Sequence, residues 1–160
     1  MREKMGNKRL PTGGKWRFLG GRLVPCLRTT LEKTSATDKY TFHVGTDSKP
    51  FTEYTIVSTA ICLRQKGSGV LVAYRRVKVD NFKSLAERLL FETTESIAVA
   101  QMIEGITGRS PLVHADVNIK DEAESSKMLT TVEGMIKGMG FSAVCKPNAW
   151  AADIADMFTR

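Results

Sequence analysis

Three carboxylates in this chain stand where their neighbours argue against an ordinary solvated acid. Asp47 lies in "YTFHVGTDSK", after a run in which Tyr40, Phe42 and Val44 alternate with Thr41 and His43. That alternation predicts a half-buried strand, here running into a carboxylate and a hydroxyl, Asp47 and Ser48. Asp and Ser also favour turns, so a strand-ending turn is the plain alternative. Glu92 belongs to the series Leu85, Leu89, Glu92, Ser96, Val99, Ile103, Ile106, whose steps of 4, 3, 4, 3, 4 and 3 trace one face of a helix. A carboxylate on a core-facing stripe is costly unless it is paired, hydrogen-bonded or bound to metal. Glu87 and Glu95 fall off that stripe, and Arg88 is expected to point elsewhere. Asp116 ends "PLVHAD", a predicted short strand led by Leu112 and Val113.

If the strands bearing Asp47 and Asp116 are parallel neighbours, both acids reach the carboxyl end of one sheet, where ligands of open α/β sheets gather. Carboxylates on adjacent strands, about 5 Å apart, repel one another. A hard divalent cation, Mg²⁺ or Mn²⁺, relieves that repulsion. Two such ions about 4 Å apart can activate water and stabilise the leaving oxygen of a phosphodiester. A fourth acid would come from the C-terminal helix, where Asp153 and Asp156 are both available and spacing does not choose between them.

The elements that must position these acids are readable from periodicity. Strands are predicted at about 40–46, 53–64 and 70–79, with "KGSG" as a hairpin turn. A long helix follows over 84–106, then the strand "PLVHADV" and a helix from Asp121 to Met139. "FSAVCK" reads as a fifth strand, and Pro147 and Asn148 open a last helix, with Asn148 as its N-cap. The order β-β-β-α-β-α-β-α makes a mixed five-stranded sheet flanked by helices.

Composition agrees with one such domain plus an arm. The chain has 160 residues, 42% hydrophobic and 26% charged. No apolar run approaches the roughly 20 residues of a membrane span, and no hydrophobic signal region follows the charged start. Cys26, Cys62 and Cys145 are odd in number and far apart, which predicts reduced, mostly buried thiols in a cytoplasmic protein. The net charge of +7 resides in residues 1–37, with nine Lys/Arg against Glu3 and Glu32, while residues 38–160 carry 15 of each sign. The expected division is a partly flexible basic arm at 1–37 and a domain at 38–160. Trp16, Phe18 and Leu19 imply that part of the arm packs. Such arms commonly contact nucleic-acid phosphates, which makes Arg9, Lys15 and Arg17 candidate substrate contacts.

From about Tyr40 onward the chain resembles the YkuK-type ribonuclease H-like family, a bacterial and phage group of predicted nucleases. The carriers are "HVGTDSK", "SLAERLLFETTES", "VHADVN" and "KPNAWAADIADMFTR". The resemblance implies a ribonuclease H-like fold with an acidic metal centre formed by Asp47, Glu92, Asp116 and Asp156. "IADMFTR" looks like the stretch that bears the last acid of ribonucleases H, which favours Asp156 over Asp153. Ser48, Lys146 and Asn148 fall in the matched motifs and are expected to line the substrate pocket. Asn148 departs from the aspartate of many relatives.

The expected function is therefore a divalent-metal-dependent nuclease. The alternative is a regulatory module on the same fold that binds nucleic acid or protein without turnover. No phosphate-binding glycine motif is present, which lowers a phosphotransfer reading. His43 and His114 are read as structural, although His114 could approach the acids as a proton carrier. Aromatic clusters of the kind that read single strands are not evident.

Overall fold

The computed structural model describes residues 15–117 and 124–160. Its core is a mixed sheet of six strands in the order β1-β4-β3-β2-β5-β6. The long antiparallel meander is β2 (Tyr40–Pro50), β3 (Thr55–Gln65) and β4 (Val70–Val79). β5 (Leu112–Ala115) lies parallel to β2, and β6 (Ser142–Cys145) lies parallel to β5. The predicted five strands are joined by a sixth, β1 (Arg17–Phe18), paired to the outer edge of β4. Periodicity missed it because two residues are too few to alternate.

Alternation along β2 sorts its side chains between two different cores. Phe42 and Val44 join the main apolar cluster with Val99, Ala100 and Ile103 of helix α2 (Leu85–Thr107). His43, Gly45 and Asp47 face the other way. There Ala60, Cys62 and Val72 pack under Ala151 and Ala155 of helix α4 (Trp150–Asp156). The predicted stripe of α2 is real: Leu89, Glu92, Ser96, Val99 and Ile103 are all buried. Ser84 caps the helix by accepting from Glu87 N–H at 3.1 Å, and Gly108 ends it with φ +73°.

Residues 15–37 meet the sheet in three places. Trp16 is buried, β1 pairs with β4, and Leu31 of α1 (Leu27–Ser35) enters the main core. The helix predicted at 121–139 is described from residue 124, as a 3-10 turn (Glu124–Met128) leading into α3 (Leu129–Gly138). Asn148 does not cap α4. Its N–H donates to Cys145 O in the turn after the cis Lys146–Pro147 bond, and Ala149 occupies the capping position. Cys26 is exposed rather than buried, and all three cysteines are free.

Candidate functional site

β2 does not stop at Asp47. It continues to Pro50, so Asp47 is a strand residue pointing to the α4 side and Ser48 its neighbour on the α2 side. Both are buried. The turn reading of "GTDS" is thereby excluded. α4 can lie against this stretch because residue 45 is glycine. A Cβ there would come within 2.3 Å of Ala152 N and 2.4 Å of Ala151 C. The small residues of "AWAAD" complete the close approach, which carries Asp156 toward Asp47.

Glu92 arrives from the opposite layer. It is 4% exposed and accepts a hydrogen bond from Ser48 Oγ at 2.6 Å. Arg88 donates to the same Oε1 at 3.2 Å. The expectation that Arg88 points elsewhere is incorrect, because positions i and i+4 share a helix face. Asp116 follows β5 and accepts from Lys146 Nζ at 2.7 Å. A void of about 10 Å³, lined in part by Thr46, Glu92 and Asp116, separates these groups. It is about the size of one water.

The electrostatics follow from burial and mutual repulsion. The Asp47 carboxyl is pushed up to about 7, first by desolvation and then by the charge of Asp116, with Asp156 adding to it. Glu92 is pushed up to about 8 by burial and then by Asp47, against the opposing pull of Ser48 and Arg88. The Lys146 ammonium is held above its ordinary value, chiefly by its bond to Asp116. Asp156 is the C-terminal acid that acts on Asp47, whereas Asp153 acts on Lys146.

The structure thus brings Asp47, Ser48, Glu92, Asp116, Lys146 and Asp156 to one end of the central strands. Asn148 is exposed on the turn before α4. Lys15 and Arg17 sit at the β1 edge, with β4 and β3 between them and β2. Arg9 lies outside the described residues.

Cations and hard oxygens compete within the cluster. The donor set suits Mg²⁺ or Mn²⁺, and Ser58, directly opposite Asp47 on β3, is a buried hydroxyl with no hydrogen-bond partner among the described residues. Among the described residues, however, no three acidic, histidine or cysteine side chains already stand as a ligand cage. The carboxylates match a divalent cation in donor type, while Lys146 holds Asp116.

The histidines are used elsewhere. Ala151 N–H donates to His114 Nδ1 at 3.2 Å, so His114 carries its proton on Nε2 and donates to His43 Nδ1 at 2.9 Å. His43 Nε2–H in turn reaches Thr41 Oγ1 at 2.8 Å. Trp150 packs against both rings. Burial pulls both imidazoles down to about 4, helped by Arg64 for His43 and by His43 for His114. His114 shares a sheet face with Asp116, but both its nitrogens are engaged, Nδ1 by Ala151 of α4 and Nε2 by His43 of β2.

Sequence reasoning missed three features. Arg88 was legible from its i, i+4 spacing to Glu92. Ser58 was legible only through strand register. Phe51 and Tyr54, scattered in sequence, stack on the turn just beyond Asp47, so an aromatic pair is present after all.

A fold of this topology with acids at this end defines a class, and the family comparison agrees. The chain matches the model described as "Ribonuclease H-like" over residues 26–160 and belongs to that family. It is also similar to the uncharacterized protein YkuK of Bacillus subtilis (strain 168), with 28% identity over 139 aligned residues. That match covers 76% of this chain and 80% of the relative. Among the described residues no helix is long and apolar enough to cross a membrane.

Proposed function

We propose that the protein is a divalent-metal-dependent nuclease whose centre is Asp47, Glu92, Asp116 and Asp156. One observation carries the reading: four acids from four separate elements converge at one strand end, and two of them are pushed to about 7 and 8 by burial and by one another. Arg88 and Lys146 answer only part of this acidic charge, and the carboxyls of Asp47 and Glu92 stay raised, which suits an external cation. Asp47 and Asp116 are the natural pair to hold Mg²⁺ or Mn²⁺, with Glu92 and Asp156 completing the oxygen set. The ion would supply water activation and charge stabilisation at the scissile phosphate. Ser48 orients Glu92 through its 2.6 Å hydrogen bond. Lys146, once released from Asp116, is placed to meet a substrate phosphate. The substrate class is nucleic acid.

The test is Mn²⁺ titration by calorimetry on the wild type and on Asp47→Asn, followed by cleavage assays on RNA and DNA. The reading expects binding that the substitution removes, together with metal-dependent cleavage. A second reading, a binding module without turnover, is favoured by Arg88 and Lys146 already sitting on Glu92 and Asp116. It expects nucleic-acid binding with no cleavage under any divalent metal.

A further inference from the structure

The turn that follows Asp47 carries two aromatic rings, Phe51 exposed and Tyr54 half-buried. Phe51 and Tyr54 stack with centroids 5.2 Å apart and planes 24° from parallel. Phe51 nevertheless keeps 36% exposure. Lys49 Nζ stands 5.7 Å from the Phe51 ring centre, and Lys78 Nζ stands 4.0 Å from that of Tyr54. The backbone beneath them is clamped. Phe51 N–H donates to Tyr54 O at 2.7 Å. The Asn81 amide donates to the carbonyls of Phe51 and Thr52 at 3.1 and 3.2 Å, while its Oδ1 accepts from Thr55 Oγ1 at 2.7 Å. A surface turn held this firmly shows its rings without an ordering cost at binding.

Strand register ties the turn to the acids. Lys49, Ile56 and Lys78 form one row across β2, β3 and β4, and Asp47, Ser58 and Arg76 form the row two residues away on the same sheet face. Lys49, Arg76 and Lys78 are exposed. Three cations thus stand on the sheet face that carries Asp47, Arg76 donating to Arg160 O at 2.7 Å, and the track ends at the stacked rings, about 13 Å along the strand.

We infer that Lys49, Phe51, Tyr54 and Lys78 form a docking platform for an unpaired nucleic-acid strand. One base lies against the Phe51 ring, and adjacent phosphates meet the two lysines. This deepens the nuclease reading and rests on it for the ligand class. Bases within a duplex have no free face to offer an aromatic ring, whereas an unpaired base does. Alternating rings and cations match the base-and-phosphate repeat of a single strand.

The experiment measures fluorescence anisotropy of labelled single strands and of the matching duplexes in EDTA, where metal-dependent cleavage is blocked. Wild type, Phe51→Ala, Phe51→Leu, Lys49→Ala and Lys78→Ala are compared, with thermal melts to verify folding. Wild type is expected to favour the single strand at least tenfold. Phe51→Ala and Phe51→Leu should each weaken single-strand binding by about tenfold or more and leave duplex binding unchanged. Each lysine substitution should lower the salt slope by about 0.7. Equal or tighter duplex binding, no wild-type binding, or unchanged affinity in folded Phe51→Ala would each overturn the platform. Phe51-dependent binding with no cleavage in Mn²⁺ would support the platform and remove the nuclease reading. Cleavage whose Kd and KM ignore Phe51 would do the reverse.

Discussion

Glu92 and Glu95 lie less than one turn apart on α2 and are equally buried, yet they live in different surroundings. Glu95 accepts from the Arg75 guanidinium at 2.9 Å, and that arginine is itself buried and lies 5.2 Å from the Trp16 ring. The pair is a closed structural unit that fastens α2 to β4. Glu92 has a serine hydroxyl, a partly exposed Arg88, and two other acids close enough to raise it. Burial raises both carboxyls, Glu95 to about 7 and Glu92 to about 8, but the charge that acts on Glu95 is the opposing Arg75, whereas Asp47 and Asp116 push Glu92 further up. Exposure alone does not make that distinction, since both glutamates are 4% exposed.

The comparison breaks most sharply under substitution. Asp47→Asn is expected to lower metal-dependent cleavage by about a thousandfold or more, as loss of an essential group does, with folding intact by circular dichroism. Glu95→Gln should do the opposite. It removes the charge that faces Arg75 in the core and is expected to cost about 1.5–3 kcal/mol of stability, as loss of a charge-assisted hydrogen bond does, read by urea denaturation, while folded protein keeps its cleavage rate per molecule. Gly45→Ala tests the support that α4 provides. The new methyl meets backbone at 2.3 Å, so a loss of about 3 kcal/mol, or about 10 °C in Tm, is expected.

Smaller effects sharpen the same contrast through pH. Asp47 and Glu92 keep their protons in the folded state up to about 7 and 8, while the unfolded chain loses them near the ordinary values of 3.8 and 4.5. The folded state therefore binds more protons across that window, and stability falls as pH rises through it. The histidines act with the opposite sign. Their folded values near 4 lie below the ordinary 6.5, so stability falls as pH drops from about 6.5 toward 4. The two acids and the two histidines nearly cancel between about 4.5 and 6.5, where Glu95, also pushed up to about 7 by burial, tilts the balance toward the acid side. Metal-free protein should melt at progressively lower temperature from about pH 6.5 to 8, by scanning calorimetry. Asp47→Asn should flatten the alkaline limb, and a wild-type limb that rises toward pH 8 would sink the account. Lys146→Met, the mildest change, should free Asp116 and strengthen Mn²⁺ binding several-fold by calorimetry. Weaker binding would mean that the lysine helps to build the site.

Much of this was written in the sequence. The 4-3 stepping of α2 announced Glu92 on a buried face, because a helix period is a local property of side-chain spacing. Alternation in β2 and the short strand before Asp116 announced two strand acids, and both reach the same sheet end because β2 and β5 are parallel. The choice of Asp156 over Asp153 needed the resemblance, since alanines on every side erase the apolar face of α4. Other features awaited the tertiary structure for a physical reason: they depend on which strands become neighbours. Glu95 lay off the predicted stripe, and its place against Arg75 of β4 was not legible. The buried Ser58 opposite Asp47, the Arg76 row and the Phe51–Tyr54 stack exist only in the register of three strands, which hydrophobic pattern constrains without specifying. Local periodicity announced Glu92 on a buried face and, by its i, i+4 spacing, the Arg88 that meets it. Only the packing of helix on sheet buried Glu95 and set Arg75 against it.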